Sequence, residues 1–346
     1  MIRTIKSYFI RSIASVCVLA CVLTLGGCTT SLRNEPQTLR IGVAVYLQND
    51  TFINTLVQDL ERFAQERESS ENLKINLNIV DGHGSQVTQN DQIDRLISLD
   101  YDVLCVNIVD RTSAAVLIDK AQAAEIPIIF FNREPVEEDI LRWDYVYYVG
   151  AMAEDSGILQ GEILSDYWNH QKDQVDRNGD NVLQYVMLEG EPGHQDTLLR
   201  TEYSIQTLIS NGISVEKLAS ETANWDRTQA SARMEQWIRE YGNTIEAVIS
   251  NNDDMALGAI DSLVNAGISE EEMPLIVGVD ATAPALEAIE NGTLQGTVLN
   301  DAEGIAQALL SLSVALARDE DPSQAVALKD SHYVWLPYQP ITGQFT

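Results

Sequence analysis

From residue 39 onward the chain alternates short apolar runs with longer amphipathic stretches. Residues 39–47 read as a buried strand, and 52–67 repeat apolar positions at Leu56, Leu60 and Phe63 with helical spacing. Strands at 74–80, 101–107 and 126–131 then alternate with helices at 91–99 and 113–125. A second series starts near Gly150, with helices at 154–168, 196–210, 228–241, 254–266 and 283–290. Between them lie strands at 183–188, 213–218, 247–250 and 275–279. Apolar strands separated by amphipathic helices predict parallel sheets covered on both faces. Each series has the size of one α/β domain, and no Pro/Gly/Ser-rich linker divides them, which predicts two lobes joined by bare crossing strands.

The first residues follow a different pattern. Arg3, Lys6 and Arg11 precede an apolar run at 13–25, which is followed by Leu25-Gly-Gly-Cys28. The run is shorter than the roughly 20 residues a membrane span needs. It reads as a lipoprotein signal peptide over 1–27, with Cys28 as the lipidated residue and 28–38 as an anchored spacer. The chain is therefore expected to be exported and tethered to a membrane facing the periplasm or cell exterior. Three of its 22 basic residues and none of its 52 acidic ones lie in 1–27, so the remainder carries 19 against 52, a net charge of −33. Such a surface repels nucleic acid and anionic lipid and favours cations. With Cys28 lipidated, Cys105 has no disulfide partner and reads as a buried strand residue.

In open parallel sheets, ligands sit beyond the carboxyl ends of the strands. The residues at those ends are Asp50 and Phe52, Asn132-Arg133-Glu134, His194-Gln-Asp196, Asn251-Asn252-Asp253-Asp254, Asp280 and Asn300-Asp301. Amides, carboxylates and an Arg suit a neutral ligand covered in hydroxyls, each of which donates and accepts at once. Phe52 and Trp225, one from each half, are candidates to cover the apolar faces of a sugar ring. The competing reading is helix capping, for which Asp196, Asp226 and Asp253 are suitable types. Catalytic patterns are absent: there is no Gly-x-Ser-x-Gly, His-Glu-x-x-His, Cys-x-x-Cys or phosphate-cradling glycine loop. The chain is read as a non-enzyme.

Asp176-Arg-Asn-Gly-Asp-Asn-Val-Leu-Gln184 places side-chain oxygens at positions 1, 3, 5 and 9, the alternation of a calcium loop. Position 12 is Met187, so a closing carboxylate has to come from elsewhere, or the segment is a polar surface turn without metal.

Ile41-Gly-Val-Ala-Val-Tyr46, Gln89-Asn-Asp-Gln-Ile-Asp94, Phe130-Phe-Asn132, Tyr147-Tyr-Val-Gly150, Gly190-Glu-Pro-Gly-His194, Asn251-Asn-Asp253, Gly278-Val-Asp280 and Gly296-Thr-Val-Leu-Asn-Asp301 occur in order. The series resembles the periplasmic galactose/glucose-binding proteins of sugar ABC transporters, along nearly all of the chain after the leader. That resemblance implies a type I periplasmic-binding-protein fold. It would comprise two Rossmann-like lobes, 39–150 plus 300–335 and 151–299 plus 336–346, joined by three crossing strands and closing by hinge motion. It implies Asp50, Asn132, His194, Asp196, Arg200, Asn252, Asp280 and Asn300 as hydrogen-bonding residues and Phe52 and Trp225 as the ring sandwich. It also implies Ca2+ held by Asp176, Asn178, Asp180 and Gln184 side chains, the Val182 carbonyl and Glu246. Asn181 replaces the glycine usual at position 6, and Asn is the non-glycine residue that best tolerates positive φ. The implied activity is delivery of D-galactose or D-glucose to an ABC permease by a monomer. The alternative is a sugar sensor docking on a chemoreceptor or sensor kinase.

Overall fold

The computed structural model of the protein describes residues 36–343. The expected signal peptide, Cys28 and most of the spacer lie outside the described residues. Strands β1 (Gln37–Val45), β2 (Leu73–Asp81), β3 (Val103–Val106), β4 (Ile128–Phe131) and β5 (Val146–Gly150) alternate with helices α1 (Thr51–Ser70), α2 (Gln86–Ser98), α3 (Ala114–Ala123) and α4 (Glu137–Ile140). Next come α5 (Ala153–Val175), β6 (Val182–Glu189), α6 (Gln195–Ser210), β7 (Ser214–Thr222), α7 (Arg227–Tyr241), β8 (Ala247–Ser250), α8 (Asp253–Asn265), β9 (Leu275–Val277), α9 (Ala283–Glu290) and β10 (Gly296–Leu299). The chain ends through α10 (Ala302–Ala317), β11 (Tyr333–Trp335) and β12 (Gln339–Thr342).

The strands form two sheets, ordered β11-β5-β4-β3-β1-β2 and β12-β10-β9-β8-β6-β7. Strands β1-β3-β4-β5-β11 and β7-β6-β8-β9-β10 pair in parallel, and β12 runs antiparallel to β10. Central strands such as Val103–Val106 and Ile128–Phe131 are buried along their whole length, as expected where helices cover both faces. Each sheet carries an apolar cluster on either face; Ile305, Leu309 and Leu312 of α10 pack with Leu56 and Leu60 of α1 beneath the first sheet. The chain passes between the sheets three times: from β5 into α5, from β10 into α10, and from β11 into β12. The Leu336 amide donates to the Gly150 carbonyl at 2.8 Å, tying the first passage to the third. This is the two-lobed α/β architecture that the pattern predicts.

Boundaries differ where local chemistry overrides periodicity. Helix α2 begins at Gln86 rather than 91 because the Ser85 side chain caps it, accepting from the Thr88 amide. Strand β7 runs on to Thr222 at the sheet edge, where none of its residues is fully buried. Strands β5, β10, β11 and β12 complete the sheets from residues that the two periodic series do not contain, and helix α10 covers the first sheet likewise.

Candidate functional site

Between the carboxyl ends of the two sheets lies a narrow chamber lined by Tyr46, Asp50, Phe52, Asn132, Arg133, His194, Asp196, Arg200, Trp225, Asn252 and Asp280. Nine of the ten ligand residues read from the sequence therefore meet in one place, contributed by both lobes. Asn300 lies behind them: it is buried, and its Nδ2 donates to Asp280 Oδ1 at 3.4 Å. Tyr46 joins the lining without having been predicted, and Arg133, one of the strand-end residues, joins it without having been named a ligand residue.

The capping and ligand readings turn out to be compatible. Asp50 is the N-cap of α1 and accepts from Ile53 N; His194 caps α6 and Asn252 caps α8. All three also line the chamber, so helix N-termini face it from both sheets, which favours negative charge there. Asp226 acts as a cap alone, accepting from Gln229 N. Asp253 is held away from the chamber lining by Thr297, Thr282 and the Thr282 amide.

Three chamber residues have backbones that L side chains rarely adopt: Asn132 at φ 61°, Trp225 at φ 65° and Asp280 at φ 118°. Positive φ in a residue as large as Trp costs on the order of 1–3 kcal/mol, and such strain clusters at ligand clamps. It is held locally. Asn252 Nδ2 donates to the Trp225 carbonyl at 3.3 Å, and His194 meets the indole edge-on with centroids 5.2 Å apart. A Cβ on Gly190 would overlap the Trp225 ring and Thr197 Oγ1, so only glycine leaves the indole its place.

Arg200 sits on α6 with its guanidinium donating to Asp196 at 2.9 Å, the Asn251 carbonyl at 2.7 Å and the Tyr338 hydroxyl at 3.2 Å. Its Nε and the Trp225 Nε1 are buried without a hydrogen-bond partner. Burial raises the pKa of Asp196, opposed by Arg200 and Arg133. Burial also raises Asp280, with Arg200 opposing and Asp253 and Asp50 adding to the rise. His194 is pushed well below its usual range by burial and by Arg133, Arg200 and Arg111. Its Nδ1 accepts from the Asp196 amide at 3.1 Å, so the neutral ring carries its proton on Nε2. The 3.7 Å approach of Nδ1 to the Asp196 carboxylate is therefore not an ion pair. The chamber thus presents carboxylates as acceptors, amides, guanidinium and imidazole as donors, and Phe52 and Trp225 as apolar surfaces. A neutral polyol with an apolar ring face matches that set.

The loop 176–184 folds back on itself. Asp176 accepts from the amides of Gly179, Asp180 and Asn181, and Asn181 takes φ 62° beside Gly179 at φ 72°. Glu246 is 2 % exposed and accepts from the amides of Arg177 at 2.8 Å and Gln184 at 3.0 Å. Its pKa is raised by burial and further by Asp176 and Asp180, so the three carboxylates share one locality. Among the described residues no group of three or more His, Cys, Asp or Glu is gathered closely enough to hold a metal ion. Amide oxygens belong to a calcium set as well, however. Asn178 and Gln184 each direct Nδ2 or Nε2 at Asp180 Oδ2 from 2.9 Å, and half a turn of either amide presents its oxygen instead. Carboxylate and amide oxygens of this kind are the donor type a hard cation takes.

Comparison with known proteins agrees with this geometry. Residues 41–321 match the periplasmic binding protein domain model. The chain belongs to the periplasmic binding protein family, whose members are binding proteins rather than enzymes and work outside the cytoplasm. It is 35% identical over 95% of its length to 96% of the D-galactose/methyl-galactoside binding periplasmic protein MglB of Haemophilus influenzae. It is 30% identical to a putative rhizopine-binding protein of Rhizobium meliloti, over 87% of this chain and 89% of that protein. An ABC transporter solute binding protein from Bacillus halodurans with bound myo-inositol superposes with a TM-score of 0.74 at 29% identity, covering 89% of this chain and 95% of that one. Among the described residues no helix is long and apolar enough to cross a membrane.

Gly190→Ala should destabilise the protein by ~1–3 kcal/mol in urea melts through overpacking, and adding Trp225→Phe should recover most of the loss. Equal stability of Gly190→Ala and wild type would contradict the packing. Unfolded Asp titrates near 3.9, whereas burial raises Asp280 and Asp253 in the fold. The ligand-free fold holds protons that the unfolded chain releases, so these groups add most stability below about pH 4 and lose it as pH rises through their folded values. Asp280→Asn should flatten that decline; an equally steep decline would contradict the assignment.

Proposed function

We propose that the chain is an extracytoplasmic sugar-binding protein that takes up D-galactose or D-glucose between its lobes and delivers it to an ABC permease. The observation that carries this reading is the convergence of a carboxylate–amide–guanidinium set with one aromatic side chain from each lobe. Each hydroxyl of a pyranose can donate to Asp50, Asp196 or Asp280 while accepting from Asn132, Asn252, Arg200 or His194. The likeness to MglB over nearly the whole chain supports the galactose side of the reading, while relatives named for a rhizopine, xylitol and ribose define the alternatives to be tested.

The direct test is a titration with D-galactose, D-glucose, ribose, xylitol and myo-inositol, followed by tryptophan fluorescence. Galactose or glucose should bind most tightly. Trp225→Ala and Asp280→Ala should each weaken that binding at least ~10-fold, since each leaves a ring face or buried hydroxyls unpaired. Undiminished affinity in both variants would refute the assignment.

Ca2+ bound by Asp176, Asn178, Asp180, Gln184, the Val182 carbonyl and Glu246 is part of the proposal, supported by the inward fold of the loop and the shared locality of its carboxylates. A metal bound only by the folded state adds stability, so EDTA should lower the melting temperature and added Ca2+ restore it. A melt indifferent to both would refute the metal site. Tethering through a lipid on Cys28 rests on the Leu25-Gly-Gly-Cys28 sequence. Fatty-acid labelling of expressing cells should mark the wild type and not Cys28→Ser; labelling of both would refute it.

A further inference from the structure

Among the described residues, three side-chain pairs reach from one lobe to the other at the rim of the chamber, and every member either lines the chamber or lies within three residues of one that does. Thr51, between Asp50 and Phe52, donates its hydroxyl to Asp254, two residues past Asn252. Gln195, between His194 and Asp196, donates to Glu134 Oε2 at 3.0 Å, two residues past Asn132. Arg133 reaches Glu191 Oε2 at 2.9 Å, and this is the one ion pair between the lobes among the described residues.

The ion pair is built differently from the other surface pairs. The Arg133 side chain is only 5 % exposed, its guanidinium lies 3.4 Å over the Tyr46 ring, and Nη1 donates to the Val109 carbonyl at 3.1 Å. The cation is therefore held in place before its partner arrives, which removes most of the side-chain entropy that weakens exposed ion pairs. Glu191 opens the tight turn Glu191-Pro-Gly-His194. The His194 amide donates to the Glu191 carbonyl, and Gly193 at φ 82° supplies the turn's positive φ. One rigid turn thus aims His194 into the chamber and Glu191 across its mouth.

Closure also has an electrostatic cost. It brings Asp50 of the first lobe toward Asp254 and Asp280 of the second, whose pKa values burial raises most and Asp50 raises further. Without an opposing attraction, like charge would keep the empty lobes apart.

We propose that Arg133 and Glu191 form a preset electrostatic latch that determines how far the sugar-free protein closes, and that Arg133 is thereby a positioning residue for ligand capture. The inference goes beyond the sugar reading: the latch acts on the lobes whatever polyol they enclose. Because Asn132 and Arg133 are consecutive, and His194 and Glu191 share one turn, a ligand that seats Asn132 and His194 also sets the latch. Dissociation then requires the ion pair to break, so the latch acts on the off-rate more than on encounter.

The test uses the full chain carrying Glu191→Gln, which keeps the shape of the partly exposed side chain and removes its charge. Small-angle scattering of the sugar-free protein should show a larger radius of gyration in Glu191→Gln than in wild type at low salt. At about 1 M salt, where the Debye length is ~3 Å, the two should converge. Stopped-flow with D-galactose should show an off-rate raised ~5- to 20-fold and an on-rate within ~2-fold of wild type. Arg133→Gln should add less than ~2-fold to the off-rate when Glu191→Gln is already present. Equal sugar-free dimensions in the two proteins, or off-rate effects that multiply independently, would overturn the latch. Failure of any sugar to bind wild type would refute the functional reading, while the sugar-free scattering still decides the latch. Unchanged melting temperature in Glu191→Gln shows that the comparison is between folded proteins.

Discussion

Burying carboxylates in a chamber that closes over them is the constraint around which this protein is organised. Asp196 and Asp280 lose water on the way in, and their raised pKa values record the cost. The protein returns part of it through Arg200, which joins Asp196, the Asn251 backbone and Tyr338 on the passage between β11 and β12. Asn300 supports Asp280 from behind. Helix N-termini capped by Asp50, His194 and Asn252 add favourable dipoles. What remains is a demand for hydroxyl donors, which a polyol meets and which an anion or an apolar ligand does not.

Meeting that demand in a fixed geometry requires backbone strain. Asn132, Trp225 and Asp280 all occupy positive φ, and their neighbours hold them there: the Asn107 amide bonds Asn132, Asn252 bonds the Trp225 carbonyl, and the Asp280 amide donates to Val298. The two lobes are stiff sheets filled with fully buried strands, so the strained residues sit on supports that do not relax. The passages between lobes are three and short. Chamber residues and cross-lobe pairs lie close together in sequence, so both are carried by the same loops.

Much of this was legible in the sequence. Alternating apolar runs and amphipathic helices specify parallel sheets directly, because fully buried strands need continuous apolar residues. The strand-end rule then located Asp50, Asn132, His194, Asp196, Asn252 and Asp280, since topology alone places those positions on one crevice. Other features depend on partners far along the chain. Tyr46 reads as an apolar strand residue until Asp50 accepts its hydroxyl, and Arg133 reads as one strand-end polar residue among several until Glu191 faces it. Asn300 has the right chemistry at a strand end but points behind Asp280. Edge strand β7 was shortened because half-exposed polar residues mask its period, and β11 and β12 join sheets whose other strands lie much earlier in the sequence. The positive φ of Trp225 has no signature in residue type at all.

A crystal structure of the protein grown with D-galactose tests the central claim most directly. The account predicts one pyranose in the chamber, its faces against Phe52 and Trp225, with ring hydroxyls within hydrogen-bond distance of Asp280, Asp196 and Arg200. A sugar bound elsewhere on the molecule, or a chamber holding only solvent at saturating sugar, would contradict it.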